Sequence, residues 1–373
     1  MTALAHVLQQ AWLKRGALAW ALRPISWLML AVVTLRRQAY RHGLLSRHRL
    51  PVPVLVVGNR IAGGAGKTPA TLAILAHLKA QGWHPGVLSR GYGAAQRPRP
   101  ESPLLVRADG KPPDACQTGD EPVLIWQRQR VPMAIASDRV AGGRALLQQH
   151  PDIDILVCDD GLQHLRLQRD IEVIVFDERG AGNGWLLPAG PLREPINLRP
   201  LPGLVAAPVV LYNAPRASTD LPGHASTSTL GLPVALSSWH SHKHSHNHDH
   251  KHGADLAHIT PPVPSATRPD QCWAMAGVAH PERFFRALRQ QGWAFTPLAL
   301  ADHASLQGPL PWPAAVRDLL ITEKDAVKLD PARCARERPN TRIWVIGLDF
   351  QPVPDFWHEL DAALALIKAR PSA

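Results

Sequence analysis

Short apolar runs recur through the first half of this chain, at 54–58, 86–89, 131–136, 153–158, 171–176 and 209–212, each bounded by polar or glycine-rich stretches. Runs this short and without internal alternation predict strands covered on both faces. The intervals between them are mostly long enough for a crossover helix, so the pattern predicts an α/β fold, a mainly parallel sheet with helices on both faces. One such helix is expected to open near Pro69, where Leu72, Ile74, Leu75 and Leu78 give it an apolar face. A second, smaller α/β unit is predicted after 271, with strands at 273–277, 318–322 and 342–347, a helix at 281–290 and a closing helix at 356–369.

The stretch 17–35 is apolar except for Arg23-Pro24 and a few hydroxyls, with Lys14 and Arg15 before it and Arg36, Arg37 and Arg41 after it. Arg23-Pro24 divides it, so no uninterrupted span of about 18 apolar residues remains to cross a bilayer. Basic residues at both ends give no orientation signal. A helix lying in the membrane interface, with Trp12, Trp20 and Trp27 at headgroup level and arginines on anionic lipid, accounts for the pattern. So does an amphipathic helix packed on the protein's own core. No small-residue cleavage pattern follows, so a secretory signal is not expected.

At 373 residues the chain can bury two cores. Its four cysteines, Cys116, Cys158, Cys272 and Cys334, are widely spaced, which argues against a disulfide framework or a zinc knuckle. A net charge of +11 implies an anionic partner. No basic stretch is interleaved with aromatics, so phosphates and an acidic membrane surface are expected and nucleic acid is not.

Chemistry enters where the first apolar run meets Gly63-Gly64-Ala65-Gly66-Lys67-Thr68-Pro69. Glycines let backbone N–H groups converge on phosphate oxygens, Lys67 reaches the β and γ phosphates, and the Thr68 hydroxyl suits Mg²⁺. The helix opening at Pro69 brings its positive N-terminus to the same place. A P-loop NTPase-like fold binding a nucleoside triphosphate and Mg²⁺ follows from this order. The strict pattern has glycine six residues before the lysine, and this chain has Ile61 there.

Three polar clusters end the other runs, where parallel sheets bind their ligands. Asp159-Asp160-Gly161-Leu162-Gln163-His164 offers carboxylates for Mg²⁺ or its waters, and equally suits a turn with a helix cap. In Gly119-Asp120-Glu121-Pro122, either acid could serve as base, metal ligand or cap. Ser89-Arg90-Gly91-Tyr92-Gly93 closes a strand as a polar loop.

Together these blocks, with 182–194, Ala276-Gly277-Val278-Ala279-His280-Pro281, Asp302-His303 and Thr322-Glu323-Lys324-Asp325-Ala326-Val327-Lys328, resemble the tetraacyldisaccharide 4'-kinase (lipid A 4'-kinase) family over nearly the whole chain. The resemblance implies transfer of the ATP γ-phosphoryl group to the 4'-hydroxyl of a tetraacylated disaccharide 1-phosphate, a lipid A precursor, at the cytoplasmic face of an inner membrane. It implies Asp120 as catalytic base, oriented by His303 across two domains. Lys67, Thr68 and Mg²⁺ would screen the triphosphate, with Glu121, Asp159 and Asp160 as metal-ligand candidates and Arg139 and Arg193 as the arginines stabilising the moving group. His280 has the weaker claim, since His-Pro-Glu-Arg also opens a helix. The expected division is an N-terminal membrane-associated segment 1–45, a P-loop kinase domain 46–215, a Pro/Ser/His-rich insertion or linker 216–270 and a C-terminal α/β domain 271–373.

One segment departs from the family: histidine stands at every second position from 240 to 252. Imidazoles on one side of an extended chain gather Zn²⁺, Ni²⁺ or Cu²⁺, and adventitious affinity in a disordered insertion is the expectation. With a P-loop, the run raises the alternative of a metal-chaperone GTPase. Thr322-Glu323-Lys324-Asp325 lacks the spacing of a guanine-reading Asn-Lys-x-Asp motif. A membrane partitioning ATPase would need a lysine at 62, where this chain has Ala62.

Overall fold

The computed structural model of this chain describes residues 10–94, 102–241, 262 and 267–370. It separates into two units, one running to Ser228 and resuming at Phe350, the other from Thr229 to Asp349.

In the first unit, strands β1 (Val54–Gly58), β2 (Pro85–Ser89), β3 (Leu104–Val106), β4 (Met133–Ile135), β5 (Ile155–Asp159), β6 (Ile171–Asp177) and β7 (Val209–Asn213) lie in the order β7-β6-β1-β5-β2-β4-β3. All neighbours are parallel except β3, which runs antiparallel to β4. Because side chains alternate along a strand, Leu55, Val57, Ile155, Val157, Ile171 and Val173 build one core, and Val54, Val56, Leu156, Cys158, Ile174 and Phe176 build the other. This explains the unalternating runs: both faces are covered.

Helices α1 (Ala17–Ala21), α2 (Arg23–Arg41), α3 (Lys67–Ala80), α4 (Ala115–Thr118), α5 (Asp120–Gln129) and α6 (Arg139–Gln149) belong to this unit. Ile74, Leu75 and Leu78 of α3 enter the first core, while Val140 and Leu146 of α6 enter the second. Truncating Leu75 to alanine would cost about 2–5 kcal/mol. Strand β1 lies between β5 and β6, so the strand order reverses there and the crevice beyond its carboxyl end is the natural ligand position. The register sets Val57 beside Asp159, which brings the carboxylates after β5 to the loop after β1.

The closing helix (Pro354–Lys368), expected in the smaller domain, packs in the first unit instead. Phe356, Leu360 and Leu364 join the core of α3 and the central strands.

Helices α1 and α2 break at Leu22, before Arg23-Pro24, where the sequence pattern is interrupted. Of the residues of α2 only Ser26 is buried. Its hydroxyl donates to the Leu186 carbonyl at 2.8 Å and accepts from Ala189 N–H at 3.1 Å. Trp12 donates to the Pro188 carbonyl and Arg37 to that of Arg199. Trp12 is therefore docked on protein, while Trp20 and Trp27 stay largely exposed. Ile25, Leu28, Val32 and Leu35, spaced to share one face of α2, are 54%, 66%, 53% and 69% exposed. Among the described residues no helix is long and apolar enough to cross a membrane.

The stretch expected as linker holds regular structure: β8 (His224–Ala235), whose start pairs with β7, and α7 (Leu236–Ser241). Strand β8 is only partly buried, so it carries few apolar residues and no strand-like pattern. The remaining histidines of the alternating run, from 242 on, lie outside the described residues.

In the second unit, β9 (Cys272–Ala276), β10 (Thr296–Ala299), β11 (Asp318–Thr322) and β12 (Arg342–Pro352) form a parallel array in the order β10-β9-β11-β12. Phe284, Phe285 and Leu288 of α8 (Pro281–Gln290) close its core with Trp293, Phe295 and Trp344. Two short helices follow, α9 (Glu323–Ala326) and α10 (Pro331–Glu337).

Candidate active site

The glycine loop leaves β1 and delivers the chain to α3 through left-handed turns at Gly63 (φ +90°) and Gly66 (φ +83°). A Cβ at Gly66 would stand 2.0 Å from the Asn213 side chain, at the end of β7, so only glycine fits. Asn59 donates to the Gly63 carbonyl at 3.2 Å, and Arg179, itself paired with Asp177, donates to that of Gly64 at 3.1 Å. Two carbonyls of the loop are thereby satisfied by side-chain donors. The N–H groups opening α3 have no partner within the helix, and its first turn carries Lys67, Thr68 and Pro69.

Ile61 shows why the strict glycine is missing. It is buried in the second core and bridges antiparallel to Leu192, flanked by Ala62 N–H to the Pro191 carbonyl and Arg193 N–H to that of Arg60. The first half of the loop is strand-like backbone, which favours a branched side chain over glycine.

Asp159 and Asp160 have different environments. Asp159 is buried and accepts from the Thr71 hydroxyl at 2.9 Å. Burial, reinforced by the charges of Glu121 and Asp160, pushes its carboxyl up to about 7. Asp160 adopts a left-handed backbone (φ +50°). Its carboxylate lies 3.5 Å from Lys67 Nζ and 3.2 Å from Arg193 Nη1. Burial works to raise its pKa, but Lys67 and Arg193 outweigh it and hold the carboxyl below its ordinary value.

Asp120 is buried at the start of α5 and its Oδ1 accepts from Glu121 N–H at 3.1 Å. The turn before it packs tightly on the Ser89–Gly93 segment: a Cβ at Gly119 would stand 2.2 Å from the Tyr92 carbonyl. Two of the polar clusters thus meet. Arg139 is buried, and Nη1 donates to the carbonyls of Ala136 and Ser137, each at 3.2 Å. Its Nη1 is held by backbone, its Nε is buried without a hydrogen-bond partner among the described residues, and its charge reaches Asp160.

His303 lies in the second unit, at φ +58°, beside Asp302 and Lys324. His280 is the N-cap residue of α8, as a helix start predicts. The structure brings Lys67, Arg193 and Asp160 together, with Asp159 and Glu121 in electrostatic range.

Sequence reasoning gave no role to Thr71, Gln163 or Glu194. Thr71 is one helical turn from Lys67, a spacing that does signal a shared face. Gln163 donates to the Asn59 carbonyl and to Glu194 and accepts from Arg193, joining three segments distant in the chain. Glu194 stands 3.7 Å from Arg37 of α2 and 3.7 Å from Arg60. His164, also in the aspartate block, is half-buried; partial desolvation and the nearby charge of Arg139 push it down to about 4, so it stays neutral near pH 7.

A family model described as tetraacyldisaccharide-1-P 4'-kinase matches residues 18–365. The chain is 50% identical over 367 residues to the tetraacyldisaccharide 4'-kinase of Methylibium petroleiphilum, covering 98% of this chain and 96% of that protein. It is 51% identical over 362 residues to the enzyme of the same name from Leptothrix cholodnii, covering 97% and 96%. Among solved structures, the "apo" form of LpxK from Aquifex aeolicus in complex with ATP shares the fold, with a TM-score of 0.71 and 22% identity over 94% of this chain and 99% of that one.

Proposed function

This chain belongs to the tetraacyldisaccharide-1-P 4'-kinase family, and we infer that it is an ATP-dependent kinase transferring the γ-phosphoryl group to the 4'-hydroxyl of tetraacyldisaccharide 1-phosphate in lipid A biosynthesis. The observation that ties this activity to the loop is the Asp160 carboxylate holding both Lys67 and Arg193 at the positive end of α3. The alternative of a metal-chaperone GTPase gains nothing from this membership.

Phosphoryl transfer asks a protein mainly for positioning and charge neutralisation. The amides of residues 63–66 and the first turn of α3 receive the β and γ phosphates, and Lys67 and Arg193 neutralise the moving group. Because Asp160 already holds both cations, little reorganisation accompanies the reaction. Arg139 acts at longer range, through its charge, with its Nη1 anchored on two carbonyls.

Thr68, Glu121, Asp159 and Asp160 are the residues that would hold Mg²⁺, and their oxygen donors suit it. Burial, with the charges of Glu121 and Asp160, pushes Asp159 to about 7, and a divalent cation there would offset that penalty. Among the described residues no three His, Cys, Asp or Glu side chains form a ready-made metal cage, so these carboxylates are candidates singly and not as a closed set. When bound, Mg²⁺ would supply positive charge that helps neutralise the triphosphate during transfer.

A sugar hydroxyl becomes a competent nucleophile only as its proton leaves. Two residues carry this proposal, Asp120 as base and His303 as its supporting imidazole. The buried position of Asp120 beside the polar loop after β2 supports the role.

The lipid substrate is taken from the cytoplasmic face of the inner membrane, where α2 seats the enzyme as a peripheral or monotopic protein. The exposed Ile25, Leu28, Val32 and Leu35 stripe, with Trp20 and Trp27, supports this reading.

The test supplies γ-labelled ATP and the tetraacylated disaccharide 1-phosphate and follows label onto the lipid. Lys67→Ala abolishes transfer, and Asp120→Ala keeps ATP binding while losing chemistry. Absence of transfer by the wild type with ATP bound would sink the kinase reading.

A further inference from the structure

The Thr322-Glu323-Lys324-Asp325 turn takes no part in the mechanism above, yet nearly every side chain in it is fixed. Thr322 caps α9, accepting from Asp325 N–H and donating to its carboxylate at 2.7 Å. Asp325 is fully buried and also accepts from Gly277 N–H, just past β9, at 3.0 Å and from Lys328 at 3.2 Å. Glu323 is buried and accepts from the Trp239 indole of α7 and from Leu348 N–H of β12, each at 3.3 Å. The turn is therefore tied to β9, β12 and α7 at once.

Lys324 is the member of this turn directed at the Asp302-His303 pair. Its Nζ stands 3.1 Å from Asp302 Oδ1 and 3.5 Å from His303 Nε2, and Asp302 Oδ2 lies 3.7 Å from the same ring nitrogen. The Lys324 and His303 side chains are only 17% and 18% exposed. His303 also holds a left-handed backbone at φ +58°, a conformation that a non-glycine residue keeps only when its surroundings enforce it. A lysine ammonium has three donors and no acceptor, so a hydrogen bond at Nε2 takes the ring's lone pair, whereas Asp302, paired with Lys324 through Oδ1, stands farther off at 3.7 Å. A neutral imidazole with its lone pair on Nε2 carries its hydrogen on Nδ1.

We propose that Lys324 is a positioning residue for the kinase reaction: clamped by Asp302 and the rigid turn, it fixes the His303 ring as the Nδ1–H tautomer, leaving Nδ1–H as the donor that the reaction uses. The proposal rests on the reading of His303 as a participant. Two charged groups of the second unit face the ring, Asp302 from the loop after β10 and Lys324 from α9. Their mutual pairing limits the pull of either alone.

The test uses the full chain. Lys324→Met keeps the aliphatic stem and removes the donors, and it lowers kcat about 10- to 100-fold with the KM for ATP unchanged. Lys324→Arg restores most of the rate. Nitrogen NMR of ¹⁵N-histidine-labelled wild type, with the His303 signals assigned by their loss in His303→Ala, shows the Nδ1–H form, and Lys324→Met shows a tautomer mixture. An Nε2–H ring in the wild type overturns the proposal whatever the variants do. A Lys324→Met rate equal to wild type beside an impaired His303→Ala overturns it while leaving the role of His303 standing. If His303→Ala itself turns over normally, the underlying reading falls first.

Discussion

Lys67 Nζ lies 3.5 Å from Asp160 Oδ1, joining the start of α3 to the residue just past β5. That carboxylate is held below its ordinary value by Lys67 and Arg193, so it is ionised throughout the working pH range. Asp160→Asn preserves shape and removes the charge that fixes both cations. Its kcat/KM for ATP is expected to fall about 10²- to 10³-fold in a label-transfer assay. A value within threefold of wild type would remove Asp160 from the machinery.

Asp159 gives the opposite case. Its carboxyl has an ordinary value of 3.8 and a folded value of about 7. Between these pH values the native state binds more protons than the unfolded chain, so this group lowers stability as pH rises through the window. Below about pH 4 the penalty is absent, and above about pH 7 it is complete. Asp159→Asn, which can still accept from Thr71, escapes it. Melting curves in metal-free, ATP-free buffer are expected to show the variant gaining on the wild type from pH 4.5 to 7.5. A gap that stays constant with pH would assign the effect elsewhere.

Restoring the glycine of the strict loop pattern is expected to harm this protein. Ile61→Gly removes a buried side chain from the second core and loosens the bridge to Leu192. The cost is about 3–5 kcal/mol, or roughly 10 °C in Tm. A variant as stable as wild type would show that the Ile61 packing contributes little.

The exposed stripe of α2 predicts a separation of membrane binding from nucleotide binding. Each apolar side chain inserted into lipid contributes about 1.5–3 kcal/mol. Leu28→Glu with Val32→Glu is therefore expected to lower sedimentation with anionic vesicles at least ~100-fold while ATP affinity holds. Undiminished vesicle binding would mean that another surface meets the lipid.

Legibility followed burial. Strands covered on both faces, such as β1, β5 and β6, stand out as apolar runs, and the order of strand, glycine loop and helix reveals the phosphate site. Strand β8, half-exposed and rich in serine and threonine, resembles linker. The closing helix shows that Phe356, Leu360 and Leu364 must be buried, but periodicity does not say against which sheet. Arginines are the least legible residues. Arg193 and Arg139 follow similar loops, yet one meets a carboxylate and the other two carbonyls.

Ser26 holds Leu186, Leu186 bridges to Leu192, and Leu192 bridges to Ile61, so few links separate the outer helix from the ATP loop. In a protein seated on a bilayer by that helix, the depth of the helix fixes the height of the phosphate donor above the lipid plane. The assembly then works as a gauge. Seated so, the enzyme would reach a hydroxyl at that elevation on its headgroup and would pass over one raised on a longer sugar chain or sunk toward the acyl tails.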